Sequence, residues 1–185
     1  METVVRRTWY QRISDPLIGP EATNAELLLG WGAAILAAAA QLAWALWFGD
    51  WSVLQTTVAV LFAFDIGGGV VVNATRSGSR YWHRDEVTRA KELAFFAAHV
   101  HPFVIAWLWP EFSWAQAVGL YASMFAFAVV VAVATPGYLK RPVALGLTAV
   151  GLVLGATVFR APAGLTWLPL LYYAKLIAAH AVPDE

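Results

Sequence analysis

The sequence predicts an all-α integral membrane protein, a bundle of six transmembrane helices with both termini in the cytoplasm. Three observations support this prediction: the chain is 60% hydrophobic, only 13% of its residues are charged, and its apolar residues form long runs. The mean hydropathy is +0.62. Ordinary soluble domains are roughly 25% charged. We therefore expect most of the chain to lie in a lipid bilayer.

Six apolar segments are predicted to cross the membrane, over residues 24–48, 52–74, 91–109, 113–135, 142–159 and 165–182. A bilayer core about 30 Å thick needs about 20 apolar residues in a helix. The first four segments meet this length, whereas the last two are short, which leaves open a tilted or re-entrant segment. The remaining parts are an N-terminal segment (1–23), a cytoplasmic loop (76–90) and a tail (183–185).

The first helix has a clear predicted start, because Thr23 and Glu26 have the spacing of a capping box. Apolar and basic side chains are interleaved before it: Val4, Val5, Arg6, Arg7, Trp9, Arg12 and Ile13. This pattern is typical of a short helix in the membrane interface. A polar tail without regular structure is the alternative.

The basic residues predict the orientation. Ten of the twelve fall on one side of a six-helix topology: Arg6, Arg7, Arg12, Arg76, Arg80, Arg84, Arg89, Lys91, Lys140 and Arg141. An excess of lysine and arginine marks the cytoplasmic side of a membrane protein. We therefore expect cytoplasmic termini and a location in the cytoplasmic or inner membrane.

Charge and cysteine content narrow the range of partners and chemistry. Twelve basic and twelve acidic residues cancel, so no nucleic-acid partner is expected, and membrane lipids are the expected partners. The chain has no cysteine. This excludes a disulfide, a thiolate nucleophile, an iron–sulfur cluster and a cysteine-type zinc site.

Ionisable side chains inside the apolar segments are the best indicators of function, because each costs several kcal/mol unless it is paired or hydrated. Asp65 is the only acid well inside a segment. Helical rise places it roughly 13 Å from the cytoplasmic end, close in depth to His99 at about 12 Å and His101 at about 15 Å. Helical angle puts Asp65 and Asn73 on one stripe and favours His99 as the histidine that faces them.

Two features of these segments have alternative interpretations. The run Gly67, Gly68 and Gly69 leaves the backbone uncovered, either for a ligand or for a closely packed neighbouring helix. Lys175 is expected to extend towards the cytoplasmic surface, where water solvates its ammonium group. A buried ion pair between Lys175 and Asp65 is the alternative.

Six polar side chains are expected in the cytoplasmic half of the bundle: Asp65, Asn73, His83, His99, His101 and His180. Carboxylate and imidazole without sulfur suit zinc or non-haem iron. The expected metal ligands are therefore Asp65, His83, His99, His101 and His180. Such a metal would activate water for hydrolysis of a lipid or another amphipathic substrate. Asp65, His99 and Asn73 are expected to carry the catalysis.

Further residues are assigned to substrate and partner binding. Arg76, Arg84 and Tyr173 are expected to bind a substrate or headgroup, although basic and aromatic residues in such a loop also bind anionic lipids without a dedicated site. The small-residue stripe of Thr148, Gly151 and Gly155 allows close helix packing. If it faces lipid, it forms a homo-oligomer interface.

The sequence leaves the function class open. The first alternative to a metal-dependent, hydrolase-like enzyme is a small transporter or channel that moves protons or cations through Asp65 and His99. The second is a non-catalytic membrane subunit whose polar residues hold helices together or bind haem or quinone.

Overall fold

The computed structural model describes residues 8–183, apart from the side chain of Gln11, and these residues form helices without any strand. The nine α-helices of this part of the chain are α1 (Trp9–Ile18), α2 (Asn24–Phe48), α3 (Val53–Ala74), α4 (Arg76–Trp82), α5 (Arg89–Ala97), α6 (His101–Leu108), α7 (Trp114–Val129), α8 (Lys140–Thr157) and α9 (Trp167–Tyr173). Two π-helical stretches, Val130–Ala134 and Ala174–His180, extend α7 and α9, and a 3₁₀ turn, Gly137–Leu139, precedes α8. The all-α class is confirmed.

Among residues 8–183, four helical stretches are long and apolar enough to cross a membrane: Asn24–Phe48, Val53–Ala74, Trp114–Ala134 and Gly137–Thr157. They correspond to the first, second, fourth and fifth predicted segments. The fifth reaches full length because the 3₁₀ turn adds to its start. The third and sixth predicted segments consist of shorter helical pieces instead. The four long helices indicate a membrane protein.

Three of the four long helices, α2, α3 and α7, begin at capping boxes, which explains their sharp starts after short connections. The box predicted at Thr23 and Glu26 is present, with the Glu26 carboxylate accepting from the Thr23 backbone amide at 2.9 Å. Equivalent boxes begin α3 at Ser52 and α7 at Ser113, each with glutamine three residues later. The same Ser/Thr-x-x-Glu/Gln spacing predicts all three starts.

The helices α2 and α3 form the most extensive pair, and small residues bring their axes together. A Cβ atom at Gly68 would lie 2.6 Å from the Cβ of Ala34, and one at Gly67 would lie 2.6 Å from that of Ala37. Contacts this short do not occur between real side chains, so both positions require glycine. Two of the three glycines after Asp65 therefore serve helix packing, which is one of the two interpretations of this run.

The third predicted segment is interrupted at residues 98–100. α5 ends at Ala97, and α6 begins at His101 with Pro102 in its first turn. Proline has no amide hydrogen to donate to the preceding turn, so it is tolerated at the start of a helix but not inside one. The interruption lies where the sequence places Pro102, and it changes the direction in which His101 points relative to α5.

Side chains satisfy the backbone carbonyls that the interruption frees. The Tyr172 hydroxyl donates to the His99 carbonyl at 2.6 Å, and the Tyr121 hydroxyl donates to the Ala97 carbonyl at 2.9 Å. The His99 ring donates from Nδ1 to the Phe95 carbonyl at 2.7 Å. Non-helical backbone at membrane depth needs such partners, because lipid offers none.

The last segment, α9 with its π-helical extension, lies at the centre of the molecule. Its buried side chains include Leu168, Tyr172, Tyr173, Leu176 and Ile177. The small-residue stripe of α8 packs against it: a Cβ at Gly151 would overlap the Tyr173 ring, and one at Gly155 would lie 2.9 Å from Pro169. The stripe of Thr148, Gly151 and Gly155 is buried within the chain, so this face is already covered by its own last segment.

The helix α1 lies in the segment before α2 where the sequence predicts a short interfacial helix; its place at the membrane interface stays a prediction. Its apolar side chains Trp9, Tyr10, Ile13 and Leu17 are exposed, whereas Ile18 is buried against the bundle. An apolar face turned outwards is what an interfacial helix presents to lipid. The predicted residues Val4, Val5, Arg6 and Arg7 lie outside the described residues.

Candidate functional site

The polar centre of the molecule is a cluster of Asp65, Lys175 and His101. The Lys175 ammonium nitrogen donates to Asp65 Oδ2 at 2.7 Å, and His101 Nε2 lies 3.2 Å from the same oxygen. Asp65 and Lys175 are 110 residues apart in the sequence. The helix α3 positions the carboxylate, the π-helical extension of α9 positions the ammonium group, and α6 positions the imidazole. Three separate elements therefore meet at one carboxylate.

Lys175 is buried, contrary to the expectation that it reaches the membrane surface. Its side chain is 5% exposed, whereas that of Asp65 is 49% exposed. Gly69 makes room for it, because a Cβ at that position would overlap the lysine side chain. The alternative interpretation, an ion pair with Asp65, agrees with the structure. An ammonium group at this depth needs its carboxylate partner.

The two central histidines have different roles from those predicted. His101, not His99, contacts Asp65, and its Nδ1 is buried without a hydrogen-bond partner. His99 uses Nδ1 to donate to the Phe95 carbonyl, which leaves Nε2 as an acceptor. The preference for His99 rested on one continuous helix, and the interruption before His101 removes that premise.

The other two histidines form a second group. The ring centroids of His83 and His180 are 5.4 Å apart, and His180 stacks on Phe95 at 3.7 Å. His83 donates from Nδ1 to the Ser79 carbonyl at 2.9 Å. Phe95 also contacts the His99 ring at 4.6 Å. The five expected metal ligands therefore divide between the Asp65 cluster and this aromatic group.

This arrangement does not fit zinc or non-haem iron. Within residues 8–183, no group of three histidine, aspartate or glutamate side chains lies close enough to hold a metal ion. A catalytic zinc needs three protein ligands. The structure gives no support to the metal-dependent hydrolase.

The three residues predicted to carry the chemistry, Asp65, Asn73 and His99, line one cavity together with Lys175. We call it the Asp65 cavity; its volume is about 370 Å³. Asn73 is 5% exposed, and its amide nitrogen has no hydrogen-bond partner. The remaining wall is largely apolar and aromatic, and it comes from α1, α2, α3, α4 and α5.

The residues predicted to bind a headgroup lie elsewhere. The Arg84 guanidinium sits 4.2 Å from the centre of the Tyr81 ring and bonds the Tyr81 carbonyl, and Arg76 begins α4. Tyr173 is buried and shares a 2.7 Å hydrogen bond with Ser123. None of these three predicted residues is among those that line the Asp65 cavity in the described part of the chain.

A second cavity of about 360 Å³ follows the first along α2, α3 and the last segment; we call it the Gln41 cavity. Gln41 is 4% exposed, and its oxygen accepts from the Trp167 indole at 2.7 Å. Its amide nitrogen has no partner. In the sequence, Gln41 is one of the few polar residues in the first segment, and that scarcity is the signal for this cavity.

No protein-family model matches this chain, and neither does any curated protein or solved structure. The class of this protein is therefore argued from its fold and its candidate site alone. The four apolar helices make it a helical membrane protein, and the Asp65 cluster is its candidate functional site.

Proposed function

We propose that this chain is a small proton- or cation-coupled transporter with six membrane segments. In this proposal the Asp65–Lys175 ion pair couples the movement of protons to the movement of the cation. In this arrangement both termini lie in the cytoplasm, since ten of the twelve basic residues then share the cytoplasmic side of an inner or plasma membrane. The third and sixth segments cross in short pieces that the long helices surround. Transporters commonly build their ion sites from such interrupted helices.

The observation that carries the proposal is the Asp65–Lys175 ion pair in the wall of one of two cavities that follow each other along α2. The Asp65 cavity meets α2 at Gly30 and Ala34, and the Gln41 cavity meets the same helix at Ala37 and beyond. The carboxylate is half exposed to the first cavity while its lysine partner is buried. A charged pair beside one cavity, with a second cavity farther along the same helix, is a suitable place for an ion to bind on its way through the bundle.

The ion pair can act as a two-state element. A proton on Asp65, or a cation beside it, weakens the attraction for Lys175, because one carboxylate cannot fully compensate two positive charges. Lys175 belongs to the π-helical extension of α9, so its release would move the central segment relative to α3. Each bound ion would then bias the arrangement of the bundle, which is the requirement for coupling.

The test is proton flux into reconstituted vesicles that contain a trapped pH-sensitive dye. We expect a flux driven by a Na⁺ or K⁺ gradient that Asp65→Asn lowers at least tenfold. Asp50→Asn, which removes an exposed carboxylate from the α2–α3 connection, is the matched control and should keep wild-type flux. Equal fluxes in Asp65→Asn and wild-type protein, or a wild-type flux no larger than that of empty vesicles, would contradict the proposal.

A second candidate function, an enzyme acting on an amphipathic substrate without a metal, is favoured by His99. Its Nε2 is an acceptor beside an apolar cavity, which is the state a general base needs to activate water. A chromogenic ester with a medium-length acyl chain tests it. Hydrolysis should fall at least a hundredfold in His99→Gln, and an unchanged rate in that variant would exclude this role.

A further inference from the structure

The wall of the Asp65 cavity is rich in aromatic rings, and these rings are arranged in two pairs. Trp31 and Phe64 lie with their centroids 5.8 Å apart, and Trp82 and Phe95 lie 5.0 Å apart. All four rings line the cavity that Asp65 faces. The negative faces of aromatic rings attract cations, tryptophan most strongly.

The carboxylate of Asp65 has an unused oxygen. Both of its partners, Lys175 and His101, contact Oδ2, and Oδ1 has no partner among the described residues. The charge that the cavity presents is therefore negative at its accessible surface, because the Asp65 side chain is 49% exposed and that of Lys175 only 5%. No arginine is among the described residues that line the cavity.

The helix α1 closes one side of the cavity, and aromatic side chains of its wall hold the helix there. The Trp31 indole donates to the Ser14 hydroxyl at 2.9 Å, and the Trp82 indole donates to the Leu17 carbonyl at 3.4 Å. The outer face of α1 is apolar and exposed, so this helix gives the cavity an apolar cover.

We infer that the Asp65 cavity binds an amphipathic organic cation, with its charge at Asp65 Oδ1 and its apolar groups against Trp31, Phe64, Trp82 and Phe95. This inference deepens the proposed function, on which its transport step rests, by naming the substrate class. A volume of about 370 Å³ lies within the usual range of small-molecule sites. A bound cation competes with Lys175 for the same carboxylate, which links binding to the ion pair.

An anionic ligand fits the cavity less well. It would have to reach the Lys175 ammonium, which is buried and already bonded to Asp65. It would also approach the half-exposed carboxylate, where like charges repel. Asn73 offers a free amide donor, but a neutral donor alone does not offset this repulsion.

The experiment compares two ions of matched shape and opposite charge, tetraphenylphosphonium and tetraphenylborate. Binding to purified full-length protein in a neutral detergent is measured by titration calorimetry. We expect saturable binding of the phosphonium, and at least tenfold weaker binding in Asp65→Asn. The double variant Asp65→Asn with Lys175→Met leaves no unpaired lysine and should lose binding to the same extent, which separates loss of the site from misfolding.

Aromatic variants test the second half of the site. Trp82→Leu should weaken phosphonium binding about fivefold to thirtyfold, the range expected for one cation–π contact in a desolvated site. Trp44→Leu is the matched control, because Trp44 lines the Gln41 cavity instead, and it should bind as wild type does. Equal binding of both ions, or phosphonium binding that survives the double variant, would overturn the inference.

A cation of this kind can come from two sources: a free organic molecule or the choline headgroup of a lipid. Displacement of bound phosphonium by dodecylphosphocholine would support the cation site and assign it to a lipid headgroup; the absence of displacement would support it for free cations. Because binding is measured without a gradient, it can fail while proton flux persists, and flux can fail while binding persists. The two proposals are therefore tested separately.

Discussion

The helices α2 and α3 and the interrupted segments packed against them satisfy their backbone hydrogen bonds in different ways. The long pair satisfies its backbone within each helix and uses Gly67 and Gly68 to bring the two helices together. The interrupted segments free backbone carbonyls, and three side chains from different elements bond them. Regularity in one region and side-chain support in the other both supply hydrogen-bond partners to backbone groups that lipid cannot satisfy.

The difference explains where the chemistry lies. A regular apolar helix exposes few polar groups, and α3 contributes only Asp65 and Asn73 to its cavity apart from apolar residues and glycines. The interrupted segments supply Lys175, His99 and His101, which complete the site. Three of the polar groups around Asp65 thus come from elements whose geometry deviates from an ideal α-helix, as is common for π-helical and broken segments at functional sites.

The largest expected effect follows from breaking the ion pair of Asp65 and Lys175, which joins the two regions. Lys175→Met should lower the free energy of unfolding by about 3 kcal/mol, because it leaves the carboxylate without its ammonium partner. The value lies at the low end for broken buried pairs, since Asp65 is half exposed. Denaturant unfolding in detergent micelles measures it.

The matched control for Lys175→Met is the double variant with Asp65→Asn. It removes both charges, so it should be more stable than Lys175→Met alone. If the double variant loses as much stability as the two single variants added together, the ion pair does not join the two regions.

The next effect concerns the close approach of α2 and α3. Gly68→Ala should cost about 1–3 kcal/mol, because its Cβ would lie 2.6 Å from that of Ala34 and the helices would have to separate. Gly32→Ala on α2 is the matched control, since a Cβ there meets nothing within 4 Å. It should be neutral or stabilising by up to about 1 kcal/mol. Equal unfolding curves for the two variants would show that the pair tolerates a wider spacing.

A smaller effect distinguishes the two tyrosines that support the interruption between α5 and α6. Tyr172→Phe should cost about 1–3 kcal/mol, because the His99 carbonyl would be buried without a donor. Tyr121→Phe should cost about 0.5–1.5 kcal/mol, since Tyr121 is only partly buried. Thermal unfolding of the three proteins compares them, and a larger loss for Tyr121→Phe would reverse the assigned order.

Much of the fold was predictable from residue patterns that depend only on local geometry. Hydrophobic length predicted the four long helices, and Thr23 with Glu26 predicted the start of the first. Depth was also predictable: a rise of about 1.5 Å per residue brought Asp65, His99 and His101 to a common level. In the structure His101 contacts Asp65, and His99 lines the same cavity as Asp65. Hydrophobic length and depth both increase steadily along a helix, so small distortions change them little.

The direction in which each side chain points around its helix was not predictable in the same way. A rotation of about 100° per residue holds only in a continuous α-helix, and both interrupted segments violate it. The break before His101 turns that ring to Asp65, and the π-helical stretch around Lys175 turns the lysine inwards. Pro102 signals the break, whereas no residue type signals a π-helix, so the ion pair remained an alternative.

The smallest effect is expected from substitution of Glu26, whose carboxylate joins the start of α2 to the start of α4. One carboxylate oxygen accepts from the Thr23 amide at 2.9 Å and the other from the Ser77 amide at 3.0 Å. Glu26→Gln keeps a single acceptor oxygen, so one of the two helix starts loses its cap, at a cost of about 1 kcal/mol. Hydrogen exchange of the Ser77 amide should accelerate in this variant and stay unchanged in Glu21→Gln, where the carboxylate is exposed. If Ser77 exchange does not change but the Thr23 amide becomes labile, the glutamine has kept the contact to α4 instead, and α2 is the helix that loses its cap.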